Sequence, residues 1–403
     1  MAGPPGGPDV PAIYDELTDG LTRPLRLAEL AYGAAERHPG LLPTRAQIDA
    51  ERTRLQSDKA GLEIAQGDFI ARVLADPRSG MHLIAAMSEP LPEALAALEQ
   101  FQRDGSIDLG AMRVDRDGPV GVVTNQNHAC LNAEDDASTR AMEIAVDLVL
   151  LDDAIEVGVL RGGPATHPKH AGRRIFGAGI NLTHLYTGQI SLIEFMLDRE
   201  LGAITKMYRG HGLTSDLPVR LSARAREKPW VAVVESFAIG GACQWLLVMD
   251  RVVAQQGTYF NLPARKEGII PGCANLRLPR LVGERAARQA IMFERAFQAD
   301  SAAGRLLADE VVGGDQLEAA LARSAEQLLS AGTTALVANR RALRAAQEPL
   351  DQFRRYMSVY ASEQARCLYS PALIDNLERN WQGAQRARSA RRDDAVDGAR
   401  GVV

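Results

Sequence analysis

Two glycine-rich segments are where this chain could do chemistry with its backbone. One is Arg174-Ile175-Phe176-Gly177-Ala178-Gly179-Ile180-Asn181-Leu182. The other, Glu235-Ser236-Phe237-Ala238-Ile239-Gly240-Gly241-Ala242-Cys243-Gln244, follows the β-type run Trp230–Val234. Glycines at a strand-to-helix junction let backbone approach a ligand and leave the first helical N–H groups unpaired. Such groups, aided by the helix dipole, hold an anion or a developing oxyanion. A tight turn needing small residues is the plain alternative, and the glycines alone fit it. A dinucleotide fingerprint fails, because Gly177-x-Gly179 lacks the third glycine and the acid that should follow.

Other side chains add to these segments. His128 closes Asn125-Gln126-Asn127-His128 after a strand-like run, and His167-Pro168-Lys169-His170 precedes the first glycine segment, with Arg173 and Arg174 after it. Two histidines at HxxH spacing with no third ligand type are a weak metal signal. Lys, His and Arg on a loop suit phosphate contact, or simply a solvated basic loop. Arg199 follows Leu192 by seven, Phe195 by four and Met196 by three residues, which places it on the apolar face of a helix over 190–207. An inward Arg needs a polar partner, either an acid such as Glu134 in a core ion pair or polar groups of a ligand. Glu134 stands before a helix expected over 135–150, where capping accounts for Asp135 and Asp136. Gln244 has Leu247 and Val248 at inward spacings, so it is either a satisfied core amide or a positioning group beside the glycines. Cys243 reads as a small buried residue, since no His is near in sequence.

The order Phe-Gly-Ala-Gly-Ile, Gly-Gly-Ala-Cys and Gly268-Ile269-Ile270-Pro271-Gly272 resembles the crotonase (enoyl-CoA hydratase/isomerase) superfamily across about residues 120–310. The resemblance implies an α/β fold, a crotonase-type spiral of ββα units, here with an N-terminal helical domain and C-terminal helices. It also implies an oxyanion hole for a CoA thioester made by the N–H groups of Ile180 and Gly241. Ala178, Gly179, Asn181 and Leu182 would then flank the substrate, and His128, His167, Pro168, Lys169 and His170 would meet the CoA moiety. Hydratases of the family carry two glutamates; this chain has Gln244 at one place and Ala264, after Phe260-Asn261-Leu262-Pro263, at the other. Neither exchanges protons near neutrality, which argues against hydration.

The His167–His170 stretch, the glycine segments, Gln244 and the long N-terminal extension resemble one branch of that superfamily. Its members react a dihydroxyphenylacetyl thioester with O2, without metal or flavin, to give the aryl glyoxylate and free CoA. The product serves dihydroxyphenylglycine formation for glycopeptide-type antibiotics. By that resemblance Glu134 and Arg199 would read the ring hydroxyls and Gln244 would position substrate or O2. No cofactor is expected, CoA thioester and O2 being substrates, and a homotrimer or dimer of trimers is implied. A thioesterase or isomerase on another acyl-CoA is the alternative enzyme, and a non-catalytic acyl-CoA-binding subunit the alternative of another class.

The elements that must hold these residues fit an ordinary globular chain of 403 residues, 46% hydrophobic and 24% charged. With 46 Lys plus Arg against 51 Asp plus Glu, the net charge of −5 argues against a general nucleic-acid binder. Four scattered cysteines (130, 243, 273, 367) make no CxxC pair, so a disulfide framework is not expected and a reducing compartment fits. The start has no signal-peptide pattern and no apolar run reaches the roughly 18–20 residues of a membrane span, so a cytoplasmic protein is expected. Ile48, Leu55, Leu62 and Phe69 recur every seven residues and predict one long helix; a second is predicted over 91–103. Strand-like runs at 120–123, 155–160, 230–234, 251–254 and 258–262 alternate with helical stretches. The expected organisation is a helical domain over 1–112 with its first dozen residues disordered, an α/β core over 113–298, helices over 299–383 and a flexible tail over 384–403.

Overall fold

The computed structural model describes residues 8–213 and 226–379. Its strands are β1 (Ser106–Asp108), β2 (Met112–Asp117), β3 (Val120–Asn125), β4 (Val157–Gly162), β5 (Trp230–Val234), β6 (Phe237–Ile239), β7 (Arg251–Gln255), β8 (Tyr259–Asn261), β9 (Phe297–Gln298) and β10 (Glu310–Val312). A seven-stranded sheet runs β1-β2-β3-β4-β5-β7-β10, and β6-β8-β9 form a small second sheet. In the large sheet β1, β2 and β3 pair antiparallel and the pairings β3-β4-β5-β7-β10 are parallel, while in the small sheet β6-β8 is parallel and β8-β9 antiparallel. The central strands β4 and β5 are buried throughout, as parallel strands covered on both faces must be. Helix Asp136–Leu151 covers one face, with Met142, Ala145, Val146 and Val149 in the core beneath β2 and β5 residues. Its start is a capping box: Asp135 Oδ1 accepts from Ser138 N–H at 3.0 Å, and Ser138 Oγ accepts from Asp135 N–H at 2.8 Å. The strands expected at 120–123, 230–234 and 251–254 form there, and helix Pro92–Asp104 lies within a residue of its expected bounds.

Four expectations change. The seven-residue recurrence belongs to two helices, Arg45–Glu51 and Glu63–Ala75, separated by a 3-10 turn at Gln56–Asp58. The buried Glu51 carboxylate accepts from the Ala60 and Leu62 N–H groups and folds the chain back. An apolar stripe marks a common core side whether or not the helix is continuous. The Pro-rich start is helical from Val10: Asp9 caps Ala12 N–H at 3.3 Å, Pro11 sits in the first turn, and Tyr14 is buried. The sheet begins at Ser106, inside the stretch assigned to the N-terminal helices. β10 lies inside the stretch read as helical and adds to the sheet beside β7. The stretch 384–403 lies outside the described residues.

The N-terminal helices have no core of their own. Val10–Leu17, Leu27–Arg37, Glu63–Ala75 and Pro77–Met87 share one apolar cluster with the helical stretch 192–201 and with helix Leu350–Leu368 from the far end of the chain. Leu30, Ile70, Leu74, Met357 and Ala361 are all buried in that cluster. This body therefore backs the stretch that carries Arg199.

Candidate active site

The segment 177–181 is extended and stitched on both sides. Ile239 N–H donates to Gly177 O at 3.0 Å, tying it to β6. On the other side Glu134 N–H donates to Gly179 O and Asn181 N–H donates to Glu134 O, each at 2.7 Å. That parallel bridge spends the carbonyl before Ile180 and the N–H after it. The Ile180 N–H itself has no partner among the described residues.

The second arm lies against the first. Gly240, with φ 54 and ψ −119, caps helix Gly241–Leu246, so the Gly241 N–H is a first-turn donor with no partner among the described residues. Gly179 has φ +82, and a Cβ there would lie 2.9 Å from Ile239 O and 3.3 Å from Gly241 N. Only glycine holds that backbone at that distance, and two free N–H groups are thereby brought to one place.

Beside them is a cavity of about 30 Å³, lined by Glu134, Ile180, Arg199, Glu200, Gly241 and Gln244, with Ala264, Glu267, Ile269, Ile270 and Tyr360 among its other walls. Arg199 sits on the second of two successive π-helical stretches, Leu192–Leu197 and Arg199–Ile204, an irregularity often found at functional sites. Its guanidinium is fully used. Nε donates to Glu134 Oε2 at 3.0 Å and Nη2 to Glu134 Oε1 at 3.2 Å. Nη1 donates to Glu200 Oε1 at 2.7 Å and to Gln244 Oε1 at 2.8 Å, while Nη2 also reaches Gly241 O at 2.6 Å. Trp245 Nε1 donates to Glu134 as well, and its ring lies 4.9 Å from the guanidinium. Burial works against the Arg199 charge, but Glu134 and Glu200 outweigh it and hold its pKa above the ordinary value. The core ion pair with Glu134 is thus formed, and its members also form the cavity wall.

Gln244 is the buried amide expected, held by Arg199, and Ala264 lies on the cavity wall. Cys243 is buried and its thiol is pushed up to about 12 by burial, which leaves it inert. Asn181 caps helix Leu182–Tyr186 and donates to Asp135 Oδ2 at 3.2 Å; Leu182 packs on the helical core. Neither lines the cavity, and Ala178 and Gly179 form the backbone behind it. Pro168 and Lys169 are exposed on a 3-10 turn, and Arg173 and Arg174 are exposed after it. This loop adjoins His128 through Thr166 N–H, which donates to His128 O at 3.1 Å. Nδ1 of both His128 and His170 is buried without a hydrogen-bond partner; His167 Nδ1 accepts from Lys169 N–H at 3.3 Å.

Two acids on the cavity wall went unnoticed in the sequence. Glu200 is buried among Arg199, Arg277 and the Cys273 N–H. Glu267, half-buried, ends the short helix Ala264–Glu267 and so shares a face with Ala264. A carboxyl one turn beyond the alanine was the available signal. Among the described residues no group of three or more His, Cys, Asp or Glu is placed to hold a metal ion, and no helix is long and apolar enough to cross a membrane.

Comparison with known proteins places the chain among relatives. The enoyl-CoA hydratase/isomerase family profile matches residues 213–364. The chain is 49% identical, over 91% of its length and 82% of the relative's, to the (3,5-dihydroxyphenyl)acetyl-CoA 1,2-dioxygenase of Amycolatopsis orientalis. It is 26% identical, over 59% of its length and 82% of the relative's, to the short-chain-enoyl-CoA hydratase of Clostridium acetobutylicum. Among solved structures, an enoyl-CoA hydratase from Mycobacterium avium subsp. paratuberculosis superimposes with a TM-score of 0.55 at 22% identity, covering 67% of this chain and 98% of that one. An enoyl-CoA hydratase from Bacillus halodurans does so with a TM-score of 0.54 at 18% identity, covering 67% and 100%.

Proposed function

The chain belongs to the crotonase (enoyl-CoA hydratase/isomerase) superfamily, and from that premise we propose that it is a dioxygenase converting (3,5-dihydroxyphenyl)acetyl-CoA and O2 to 3,5-dihydroxyphenylglyoxylate and CoA. The observation that carries this reading is a pair of free N–H groups, Ile180 and Gly241, beside a cavity whose two hydratase positions hold Gln244 and Ala264. The 49% identity to a dioxygenase of that substrate supports it.

The chemistry follows from the donors. A thioester oxygen between the two N–H groups gains charge as the benzylic α-proton leaves, and each donor is worth about 3–4 kcal/mol in such a transition state. The electron-rich enolate can pass an electron to O2 without a metal or flavin. Attack of the resulting peroxide on the thioester carbonyl expels CoA and leaves both oxygens in the product. Glu134 and Arg199 would take the two ring hydroxyls into their network, and Gln244 would steady substrate or O2 beside the hole. The unpaired Nδ1 atoms of His128 and His170, with Lys169, Arg173 and Arg174, suit the phosphates of CoA. We read the enzyme as a cytoplasmic homotrimer or dimer of trimers serving dihydroxyphenylglycine supply.

The test is O2 uptake by metal-stripped, flavin-free enzyme with (3,5-dihydroxyphenyl)acetyl-CoA. Equal consumption of O2 and release of CoA is expected. CoA release without O2 would mean hydrolysis, binding without turnover a non-catalytic subunit, and activity only with added metal or flavin a different mechanism.

A further inference from the structure

We propose that Glu267 is the base that removes the α-proton of the thioester, an inference that rests on the enolate reading above. Among the described residues three carboxyl groups line the cavity beside the Ile180 and Gly241 N–H groups: Glu134, Glu200 and Glu267. The first two are committed. Glu134 holds Arg199 through both oxygens and accepts from Trp245, while Glu200 holds Arg199 and accepts from Cys273 N–H at 3.3 Å. Protonating either would dismantle a buried ion pair, a costly step in each turnover. The Glu267 carboxylate makes no hydrogen bond or ion pair among the described residues, and only its backbone N–H is used, donating to Pro263 O at 3.1 Å. Of the other side chains on the wall, Gln244 has no proton to exchange, and the Tyr360 hydroxyl is raised well above its ordinary value by burial, leaving it protonated. No histidine lines the cavity.

The surroundings of Glu267 suit the task. Burial raises its pKa to about 7, with Lys266 lowering it and Glu294 raising it. Lys266 is on its own turn, and Glu294 follows helix Glu284–Phe293. Helix Pro371–Leu377 brings the apolar Leu373 against the adjoining Gly268. Across the cavity stand the Arg199 network and Tyr360. A base poised near neutrality both accepts the proton readily and returns it. In the step itself the Cα–H bond breaks, the proton passes to a Glu267 oxygen, and the electron pair becomes the enolate held by Ile180 and Gly241. No oxidant takes part.

The step can therefore be watched without O2. Full-length enzyme and (3,5-dihydroxyphenyl)acetyl-CoA are mixed in D2O under argon, and α-deuterium is read by mass. Wild type should exchange the α-hydrogens. Glu267→Gln should exchange about 10²–10⁴-fold more slowly with substrate Kd within a few-fold, and Glu267→Asp should recover part of the rate. Exchange in Glu267→Gln at the wild-type rate overturns the assignment and leaves the dioxygenase reading standing if wild type still takes up O2. Wild type that exchanges but consumes no O2 removes the oxygenase, and slow exchange in Glu267→Gln then still supports the base. Wild type that neither exchanges nor consumes O2 overturns both. Should Glu267→Gln fail to fold, the wild-type exchange rate decides: a rise governed by one ionisation near pH 7 supports Glu267, and a flat profile from pH 5 to 9 overturns it.

Discussion

Arg199 carries five hydrogen bonds to four residues, and its removal strands two buried carboxylates. Arg199→Ala should cost about 3–5 kcal/mol of stability, read by urea denaturation, because Glu134 and Glu200 would be left buried without their counter-charge. The milder Glu134→Gln keeps an acceptor for Trp245 and is the better probe of ring recognition. It should slow (3,5-dihydroxyphenyl)acetyl-CoA turnover roughly tenfold or more beyond its effect on phenylacetyl-CoA, since an unpaired buried polar group costs about 1–3 kcal/mol. Equal slowing of both substrates would make Glu134 purely structural. Gly241 tolerates no side chain: a Cβ would lie 1.9 Å from Glu134 Oε2 and 3.1 Å from Arg199 Nη2. Gly241→Ala should therefore lower kcat about 10²–10³-fold and lower Tm as well. The ion pair packed against Gly241 is the reason both should fall.

At the scale of elements, the cavity is too small for the ring it is assigned. It measures about 30 Å³, whereas a cavity that takes benzene is on the order of 150 Å³. One wall is the 192–209 helical stretch, buried between the helical core and the α/β core; the other is the stretch 264–272, whose Ile269 and Ile270 are only half-buried. The second wall should yield. Amide exchange in 264–272 should change when substrate binds anaerobically while 192–209 stays protected, and the reverse pattern would assign the opening to the helix. Behind the site, helix Glu63–Ala75 lies so close to helix Leu350–Leu368 that a Cβ on Gly67 would be 2.4 Å from Ala365 Cβ and 2.7 Å from Ala361 O. Gly67→Ala should destabilise by about 1–3 kcal/mol through overpacking, with a lower urea midpoint at unchanged slope.

Over the whole molecule, the shared helical core makes the two ends of the chain one folding unit. A fragment of residues 8–104 should show no cooperative thermal transition, because Leu350–Leu368 supplies the other half of its core. Acid should also loosen that end. Burial alone would raise Glu348, but Arg277, Arg209 and Arg280 hold it down at about 2. A depressed carboxylate contributes stability above its unfolded value near 4.5 that is lost as pH falls towards 2. The stability gap between wild type and Glu348→Gln should thus be constant above about pH 5 and shrink by about 3 kcal/mol on acidification. A gap independent of pH would show Glu348 to be uncoupled from folding.

The backbone chemistry of the site was legible in the sequence because it is local. A glycine pair between a strand and a helix stands out in the sequence as a close backbone approach, and the crotonase resemblance then singled out Ile180, Gly241 and the missing acids at Gln244 and Ala264. The apolar stripe around Arg199 likewise required an inward charge. Which partner that charge takes is a matter of distance between segments 65 residues apart in the case of Glu134, and only the folded chain brings them together. Glu267 stayed hidden for the same reason. Nothing in Arg265-Lys266-Glu267 distinguishes it from a solvated charge run, and its standing on the cavity wall depends on packing by Leu373, over a hundred residues later. Helix continuity failed similarly: a seven-residue stripe reports which side is buried, and only the packing partner, here a helix end 312 residues away at Leu368, determines where the chain must turn.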